Sequence, residues 1–502
     1  MKKKIGLLVG LLLFAIILIF FDFDKTNPLI TKMSAVALLM AIWWITEAIP
    51  LGATSLLPLF LFPLLGILNG EQIAGTYINS TIFLFLGGFL IALAMEKWNY
   101  HKRIAIIIIS FVGNSPERII LGFLLSSFFI SMWISNTATA VMMLPIGLAI
   151  ISQLEEKFSE EVTHSFSAAV LLSIAYGASL GGIATLIGTP PNLSLARILH
   201  IMFPKAPEIG FGAWMQLAFP LSIFLLTVCY FLFIKVFFKI HKDLNADIKM
   251  IKEEKRKLGK ISSEEIMVAI IFGTTALLWI FRSDLALGFT TLPGWSNFFP
   301  HPEYFNDGVV AIGMASLLFI LPAKSKKTSF LLEKDVFGKI PWGIILLFGG
   351  GFALAKGFVS SGLSASIGKS LTSFGIVSPI IMILIIAIVV QALTEFTSNT
   401  ATAEMVLPIT ASMAVAMHVH PLFFMIPATL SASLAFMFPV ATPPNAVIFG
   451  SQRIKMSEMA KVGVVLNLIS IPTLLIAIYF FGRIIFNIDL SVFPDWAIPA
   501  GK

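Results

Sequence analysis

The sequence predicts an all-α polytopic membrane protein: eleven transmembrane helices plus two re-entrant hairpins, arranged as two inverted-topology repeats. Three observations carry that reading: a composition too apolar for water, strongly basic loops that all fall on one side of a charge walk, and a set of polar blocks that occurs twice. Of the 502 residues, 57% are hydrophobic and 12% charged, where a soluble chain carries about a quarter charged. The mean hydropathy is +0.94. The apolar residues run the whole length, so the chain is not a soluble domain on one anchor. Cys229 is the single cysteine and can form no internal disulfide.

The charge balance is 34 basic against 27 acidic residues, a net +7. The basic residues sit in short loops between apolar runs, where they set orientation, so no nucleic-acid partner is expected. Lys2, Lys3 and Lys4 precede an apolar run over 5–21 that ends in Phe20-Phe21-Asp22-Phe23-Asp24 with no small-x-small cleavage site, and it reads as a retained first helix.

A span needs roughly 20 mostly apolar residues. Simple spans are expected over 5–21, 33–49, 51–67, 80–96, 214–238, 264–282, 307–323, 341–357 and 462–485. Four further regions, 117–153, 165–203, 376–416 and 422–455, carry a polar or proline-rich break near the middle. With the N-terminal lysines in the cytoplasm, 117–153 and 376–416 must enter and retreat on one side as hairpins, while 165–203 and 422–455 cross as broken helices. Lys97–Arg103, Glu155–Glu161, Lys239–Lys260 with eight Lys/Arg, Lys324–Lys339 with five Lys, and Arg453–Lys461 then share the cytoplasmic face. The C-terminus ends outside with Asp489 and Asp495. Trp295, Phe298, Phe299 and Trp496 fit interfacial anchoring there, and the run 239–260 suits an amphipathic helix on the membrane surface.

The repeated blocks are specific. Ser135-Asn136-Thr137-Ala138-Thr139-Ala140 recurs as Ser398-Asn399-Thr400-Ala401-Thr402-Ala403, Leu144-Pro145-Ile146 as Leu407-Pro408-Ile409, and Gly87-Gly88-Phe89 as Gly350-Gly351-Phe352, each at an offset of 263. Thr189-Pro190-Pro191-Asn192 recurs as Thr442-Pro443-Pro444-Asn445 at 253. The walk runs the first Gly-Gly helix inward and the second outward, so the copies are related by inversion, the architecture of secondary transporters with a midplane site.

The chemistry of the breaks agrees. A single Ser-Asn-Thr in an apolar helix is ordinary interhelical hydrogen-bond glue, and a single Pro-Pro is a kink. The inverted pair of both is a site. Proline removes a donor and clashes with the preceding turn, and freed backbone groups survive at this depth only beside protein or a wet cavity. Ser, Thr and Asn cap half-helices, whose positive ends suit a carboxylate or other anion. Bared carbonyls and hydroxyls suit a small hard cation such as sodium.

On these residues the chain resembles the divalent anion:sodium symporter family of di- and tricarboxylate transporters, of the bacterial sodium–dicarboxylate type. Met132-Trp133-Ile134-Ser135-Asn136-Thr137 and Glu395-Phe396-Thr397-Ser398-Asn399-Thr400 carry much of the likeness, which extends from Glu47-Ala48-Ile49-Pro50 to the last span. The resemblance implies that Ser135, Asn136, Thr137, Ser398, Asn399 and Thr400 contact substrate carboxylates, with Thr189, Pro190, Thr442 and Pro443 beside them. It implies one sodium site at Ser131, Ser135, Asn136 and Gly188, and another at Thr394, Ser398, Asn399, Ala441 and Pro443. It also implies a plasma-membrane homodimer in which transport parts, 115–240 and 375–502, slide elevator-like against scaffold parts, 1–114 and 262–374, with a basic linker at 241–261. The expected function is sodium-coupled import of C4-type dicarboxylates such as succinate, fumarate and malate, with no cofactor beyond sodium as coupling ion. The alternative is a sodium-independent exchanger of the same fold; oxygen-rich loops with no basic residue to stand in for the cation favour sodium.

Other motifs are weaker. Gly177-Ala178-Ser179-Leu180-Gly181 matches G-x-S-x-G, but it lies in an apolar helix, with only His164 and His200 at the segment's edges. A hydrolase needs a strand–turn–helix context and partners for its serine, so the glycines read as helix packing and no enzyme is expected. Glu47 and Glu96 read as boundary residues, and Lys356 as a snorkelling one. Glu395 and Glu404 flank the second Ser-Asn-Thr where the first copy has Met132 and Val141. Coupling, an ion pair and a solvated hairpin face all remain open for them.

Overall fold

In the computed structural model the described residues are 2–113, 115–241, 244, 253, 255–325, 328–372, 378–489 and 492–498. The chain opens with α1 (Lys2–Phe20) and α2 (Pro28–Thr46), which pack on each other. The expected single span over 51–67 is instead two short helices, α3 (Leu51–Thr54) and α4 (Leu57–Leu65). At the break Pro58, near the start of α4, has no N–H to continue the helical ladder. Ser55 Oγ turns back to donate to the Leu51 carbonyl at 2.7 Å, and the Ser55 carbonyl accepts from Tyr77 Oη at 2.5 Å.

Next come α5 (Gly70–Tyr77), α6 (Ser80–Lys97) and α7 (Tyr100–Val112). Helix α7 was not expected as an element, because its apolar stretch is too short for a span. The first hairpin is α8 (Pro116–Ser131) and α9 (Asn136–Glu155), and the first broken helix is α10 (Glu160–Ile183) and α11 (Pro190–Met202). Helix α12 (Phe211–Phe231) follows and runs into a π-helical turn at Leu232–Phe237. The basic linker is described only at 241, 244, 253 and from 255 on, so most of the expected surface helix lies outside the described residues.

The second half has α13 (Ser263–Ile280), a two-residue β-hairpin pairing Leu285–Ala286 with Thr291–Leu292, α14 (Asp307–Ile320), α15 (Trp342–Ser361) and α16 (Leu363–Thr372). Its hairpin is α17 (Pro379–Thr394) and α18 (Asn399–Ala416), its broken helix α19 (Leu422–Ser433) and α20 (Pro443–Phe449), and α21 (Met456–Ala477) is the last long helix. Among the described residues nine helices are long and apolar enough to cross a membrane, and four shorter apolar stretches lie at Leu51–Leu65, Asp307–Ile320, Pro379–Thr394 and Leu422–Ser433.

Helix α10 is the axis of the core: the membrane-length window within it is wholly buried. Its G-x-S-x-G stretch is packing. Gly181 lies on the Phe128 carbonyl of α8 and Gly177 on Leu124, so a side chain at either would collide with backbone. Ser179 is 1% exposed. The Gly-Gly repeat has the same purpose. Gly87 of α6 meets the backbone of Ala311 in α14, and Gly350 of α15 meets that of Ser55. Small residues let helices approach closely in lipid, where burial alone gives no drive to associate.

The ion pairs at the helix ends fall within the two sets of loops that the charge walk separates. Arg103 holds Glu265 through two nitrogens at 3.0 and 2.9 Å, Arg453 holds Glu155 at 3.0 and 2.8 Å, and His164 meets Glu458 at 2.8 Å. In the other set, Arg282 bridges Asp307 at 2.5 Å and Glu208 at 3.0 Å. Lys356, expected to snorkel, donates to the Gln72 carbonyl at 2.7 Å.

Candidate functional site

Both Ser-Asn-Thr blocks fall at the breaks between hairpin helices. In the first, Ser135 is the N-cap of α9 and accepts from the Ala138 N–H at 3.2 Å, one of the four donors a helix start leaves unpaired. Ser131, at the end of α8, donates to Asn136 Oδ1 at 2.6 Å. In the second, Ser398 is the N-cap of α18 without a side-chain capping bond, so that helix start keeps its donors open. Thr394 Oγ1 lies 2.8 Å from Asn399 Oδ1 and 2.7 Å from the Ala432 carbonyl. One hydroxyl proton cannot satisfy both at once, which leaves a cluster richer in oxygen than in hydrogen.

The Thr-Pro-Pro-Asn blocks make the other walls. Thr189 and Thr442 are N-caps of α11 and α20, with prolines at the first two helical positions and no side-chain capping bond. The rings remove the first two backbone donors at each start. Any anion at these ends therefore meets the threonine hydroxyls in place of the bare N–H groups that the sequence suggested.

Asn192 and Asn445 hold the breaks open. Asn192 Nδ2 donates to the Thr185 carbonyl at 2.7 Å and to that of Gly182 at 3.2 Å. Asn445 Nδ2 donates to Phe438 at 3.1 Å and Ala435 at 3.2 Å. Each partner pair is offset by 253, so the two breaks are locked in the same way. Both asparagines are fully buried, and both Oδ1 atoms are without a partner. Sequence reasoning had them inside the repeat but gave them no role.

Thr185 then ties the first break to the first hairpin: its hydroxyl donates to the Met132 carbonyl at 2.5 Å and accepts from the Gly188 N–H at 3.1 Å. Asn136 sits directly on Gly182, where a Cβ would overlap its amide. Ser131, Asn136 and Gly188 are thus joined through short contacts, as are Thr394 and Asn399. Ala441 donates its N–H to the Phe438 carbonyl at 3.2 Å, and Pro443 begins α20 on the exposed side of the break. Ser135, Asn136, Thr137, Pro190, Ser398 and Asn399 are half-buried, while Gly188, Thr189, Thr400 and Thr442 are buried.

The two copies pack crosswise. Helix α11 of the first lies on α18 of the second, and α20 of the second lies on α9 of the first. Each hairpin thus faces the broken helix of the other copy.

Glu395 is neither solvated nor in an ion pair with a basic residue among the described residues. It is 1% exposed. Oε1 accepts from the N–H of Phe436 at 2.8 Å, of Met437 at 3.0 Å and from Asn467 Nδ2 at 2.9 Å; Oε2 accepts from Met437 at 3.0 Å and Phe438 at 3.2 Å. Three successive donors freed by the break converge on one carboxylate, as in an anion-binding nest. Among the described residues no three His, Cys, Asp or Glu side chains group as a metal centre. The cation-binding groups on offer at the hairpins are neutral oxygens.

The chain is similar to known proteins along almost its whole length. Residues 1–488 match the family described as sodium:sulfate symporter transmembrane region. A sodium-dependent dicarboxylate transporter, SdcS, of Staphylococcus saprophyticus is 42% identical over 495 residues, covering 97% of this chain and 93% of that protein. Its namesake in Staphylococcus aureus (strain MRSA252) is 43% identical with the same coverage. Among solved structures, the YdaH transporter of Alcanivorax borkumensis aligns with a TM-score of 0.55 at 13% identity, over 83% of this chain and 90% of that one. MtrF of Neisseria gonorrhoeae aligns with 0.55 at 14%, over 93% and 96%; at these identities the likeness is one of fold. The chain belongs to the sodium:sulfate symporter family, the divalent anion:sodium symporters, a family of transporters and not of enzymes.

Proposed function

We propose that the chain is a plasma-membrane symporter that imports C4-type dicarboxylates, succinate, fumarate and malate among them, together with sodium. The supporting observation is the pair of oxygen clusters, Ser131–Asn136 and Thr394–Asn399, each beside a helix start that faces the other copy's broken helix. The full-length relatives are named sodium-dependent dicarboxylate transporters, which supports the substrate class and the ion.

The chemistry couples the two ligands. An empty cluster of hydroxyl, amide and carbonyl oxygens repels a carboxylate. Sodium at the first cluster (Ser131, Ser135, Asn136, Gly188) and at the second (Thr394, Ser398, Asn399, Ala441, Pro443) turns each into a positive end. The helix starts at Ser135–Thr137 and Ser398–Thr400 then add their dipoles, and the hydroxyls of Thr189 and Thr442, with Pro190 and Pro443, shape the remaining wall. Each end takes one carboxylate of the dianion. Binding of either ligand strengthens the other by the same factor, as linkage requires.

In this reading the chain has eleven spans and two re-entrant hairpins in inverted repeats, with the N-terminus cytoplasmic and the C-terminus external. Alternating access is a sliding of 115–240 with 375–502 against 1–114 with 262–374, in a homodimer. Uptake of labelled succinate into proteoliposomes, with and without an inward sodium gradient, tests it. Strong sodium stimulation is expected. Uptake indifferent to sodium but driven by internal dicarboxylate would make the protein an exchanger instead.

A further inference from the structure

Glu404, in the second turn of α18, has no part in the oxygen clusters, and its surroundings differ sharply from those of Glu395. It is fully buried. Oε1 lies 2.5 Å from Ser194 Oγ on α11. Oε2 has no hydrogen-bond partner and rests on Gly351 of α15, where a Cβ would overlap the carboxyl group. The charged side chains on the helices packed around α18 are Lys32, Arg197, His200, Lys356 and Lys369. None of them is a hydrogen-bond partner of this carboxyl: Oε1 has Ser194, and Oε2 has none. Helix α18 carries no other ionisable side chain.

An ionised carboxylate offers about four lone-pair sites and takes donors on both oxygens. Glu395 has donors on both and is built for the charge. Glu404 has one hydroxyl for two oxygens. A bare carboxylate oxygen buried at this depth is strongly disfavoured, because neither water nor a cation offsets its lost hydration. A neutral acid needs less. Its O–H shares a short hydrogen bond with Ser194, and only a carbonyl oxygen is left without a donor.

We propose that Glu404 is a proton-binding site: with α15, α18 and α11 packed as they are here, it is a carboxylic acid whose proton is shared with Ser194 Oγ. Gly351 is the dry wall of this site. Anything that draws α15 away from α18 brings water to Oε2 and favours release of the proton. Acid therefore stabilises the packed arrangement, and alkali favours its separation. The proton is a third kind of ligand, bound between helices of the two copies, five residues along α18 from Asn399. The proposal stands whether or not succinate and sodium are the transported species.

Infrared difference spectroscopy on the purified full-length protein at neutral pH tests it directly. The carbonyl stretch of a protonated carboxylic acid is expected in the wild type and absent from Glu404→Gln, which keeps the shape and the Ser194 contact. Loss of a carboxylate band in its place, or no acid band to lose, would overturn the proposal. Ser194→Ala is the second variant, in case the first does not fold. Removing the hydroxyl should move the acid band to higher frequency, and an unmoved band would overturn the proposal. In proteoliposomes Glu404→Gln, which mimics the neutral acid, should transport within about twofold of wild type at neutral pH. It should also lose part of the wild type's decline at alkaline pH. Identical alkaline declines in the two proteins would count against a proton held there.

Discussion

Asn136 and Asn399 stand 263 positions apart, and each presents its Oδ1 to the hydroxyl five residues before it, Ser131 at 2.6 Å and Thr394 at 2.8 Å. The hydroxyl changes from serine to threonine between the copies, while the asparagine and the spacing stay the same. Local geometry at each hairpin tip is therefore set by one amide oxygen, and the rest of the tip is arranged around it.

Removing that oxygen should stop transport. Asn136→Ala and Asn399→Ala are each expected to abolish succinate uptake, with expression near that of the wild type. Wild-type rates in both, measured against quantified membrane expression, would refute the assignment of the tips.

Glu395 holds the second break by charge, where the first relies on the neutral Thr185–Met132 bond. Glu395→Gln keeps an acceptor for some of the converging N–H groups but turns an NH₂ toward others. A loss of about 2–4 kcal/mol follows from the charge-assisted bonds, seen as a lower thermal midpoint in detergent. Glu395→Met, which copies the first repeat's residue, should be worse, because it orphans every donor.

Arg282 joins three elements. It pairs with Asp307 at the start of α14 and with Glu208, while Asp307 Oδ2 accepts the Phe211 N–H at 2.9 Å. Arg282→Met leaves Asp307 buried without its cation and should cost about 3–5 kcal/mol. The double variant Arg282→Met with Asp307→Asn should recover part of that loss. Thermal unfolding of the three proteins side by side checks both expectations.

His420, in the turn between α18 and α19, accepts the Leu422 N–H on Nδ1 at 3.3 Å and stands edge-on to Trp496 at 5.1 Å between ring centroids. Burial pushes it down from 6.5 to about 4. The unfolded chain therefore binds a proton there below about 6.5 that the folded chain refuses. Stability contributed by the neutral ring is present above that pH and is lost as pH falls toward 4, by at most on the order of 3 kcal/mol. The thermal midpoint should fall over this window in the wild type and fall less in His420→Gln.

The hairpin tips and broken helices were legible in the sequence because Ser, Asn, Thr and paired Pro are conspicuous in an apolar chain, and more so when they recur at a fixed offset. The contacts that organise them were not. Glu395 reaches Phe436 and Asn467, and Glu404 reaches Ser194, across 41, 72 and 210 positions, and no local pattern encodes such partners. Position 51–67 has the composition of one span, yet Tyr77 draws on the Ser55 carbonyl at the point where the helix divides. Helix α7, at 13 residues, is shorter than a bilayer is thick, so span length gives no sign of it in the sequence. The Gly-Gly blocks were legible as a repeat, but their service as crossing points for α14 and Ser55 became visible only in the packing.

The crosswise packing of α11 on α18 and α20 on α9 means that neither half of the chain encloses a compartment of its own. Severed in the linker between Phe237 and Ser263, each product would carry one hairpin tip and one proline break, with the opposing wall on the other fragment. Fragments made together should reassemble and restore uptake, and either made alone should be inert. The working unit is a seam between two halves, and the linker serves to keep them in equal number.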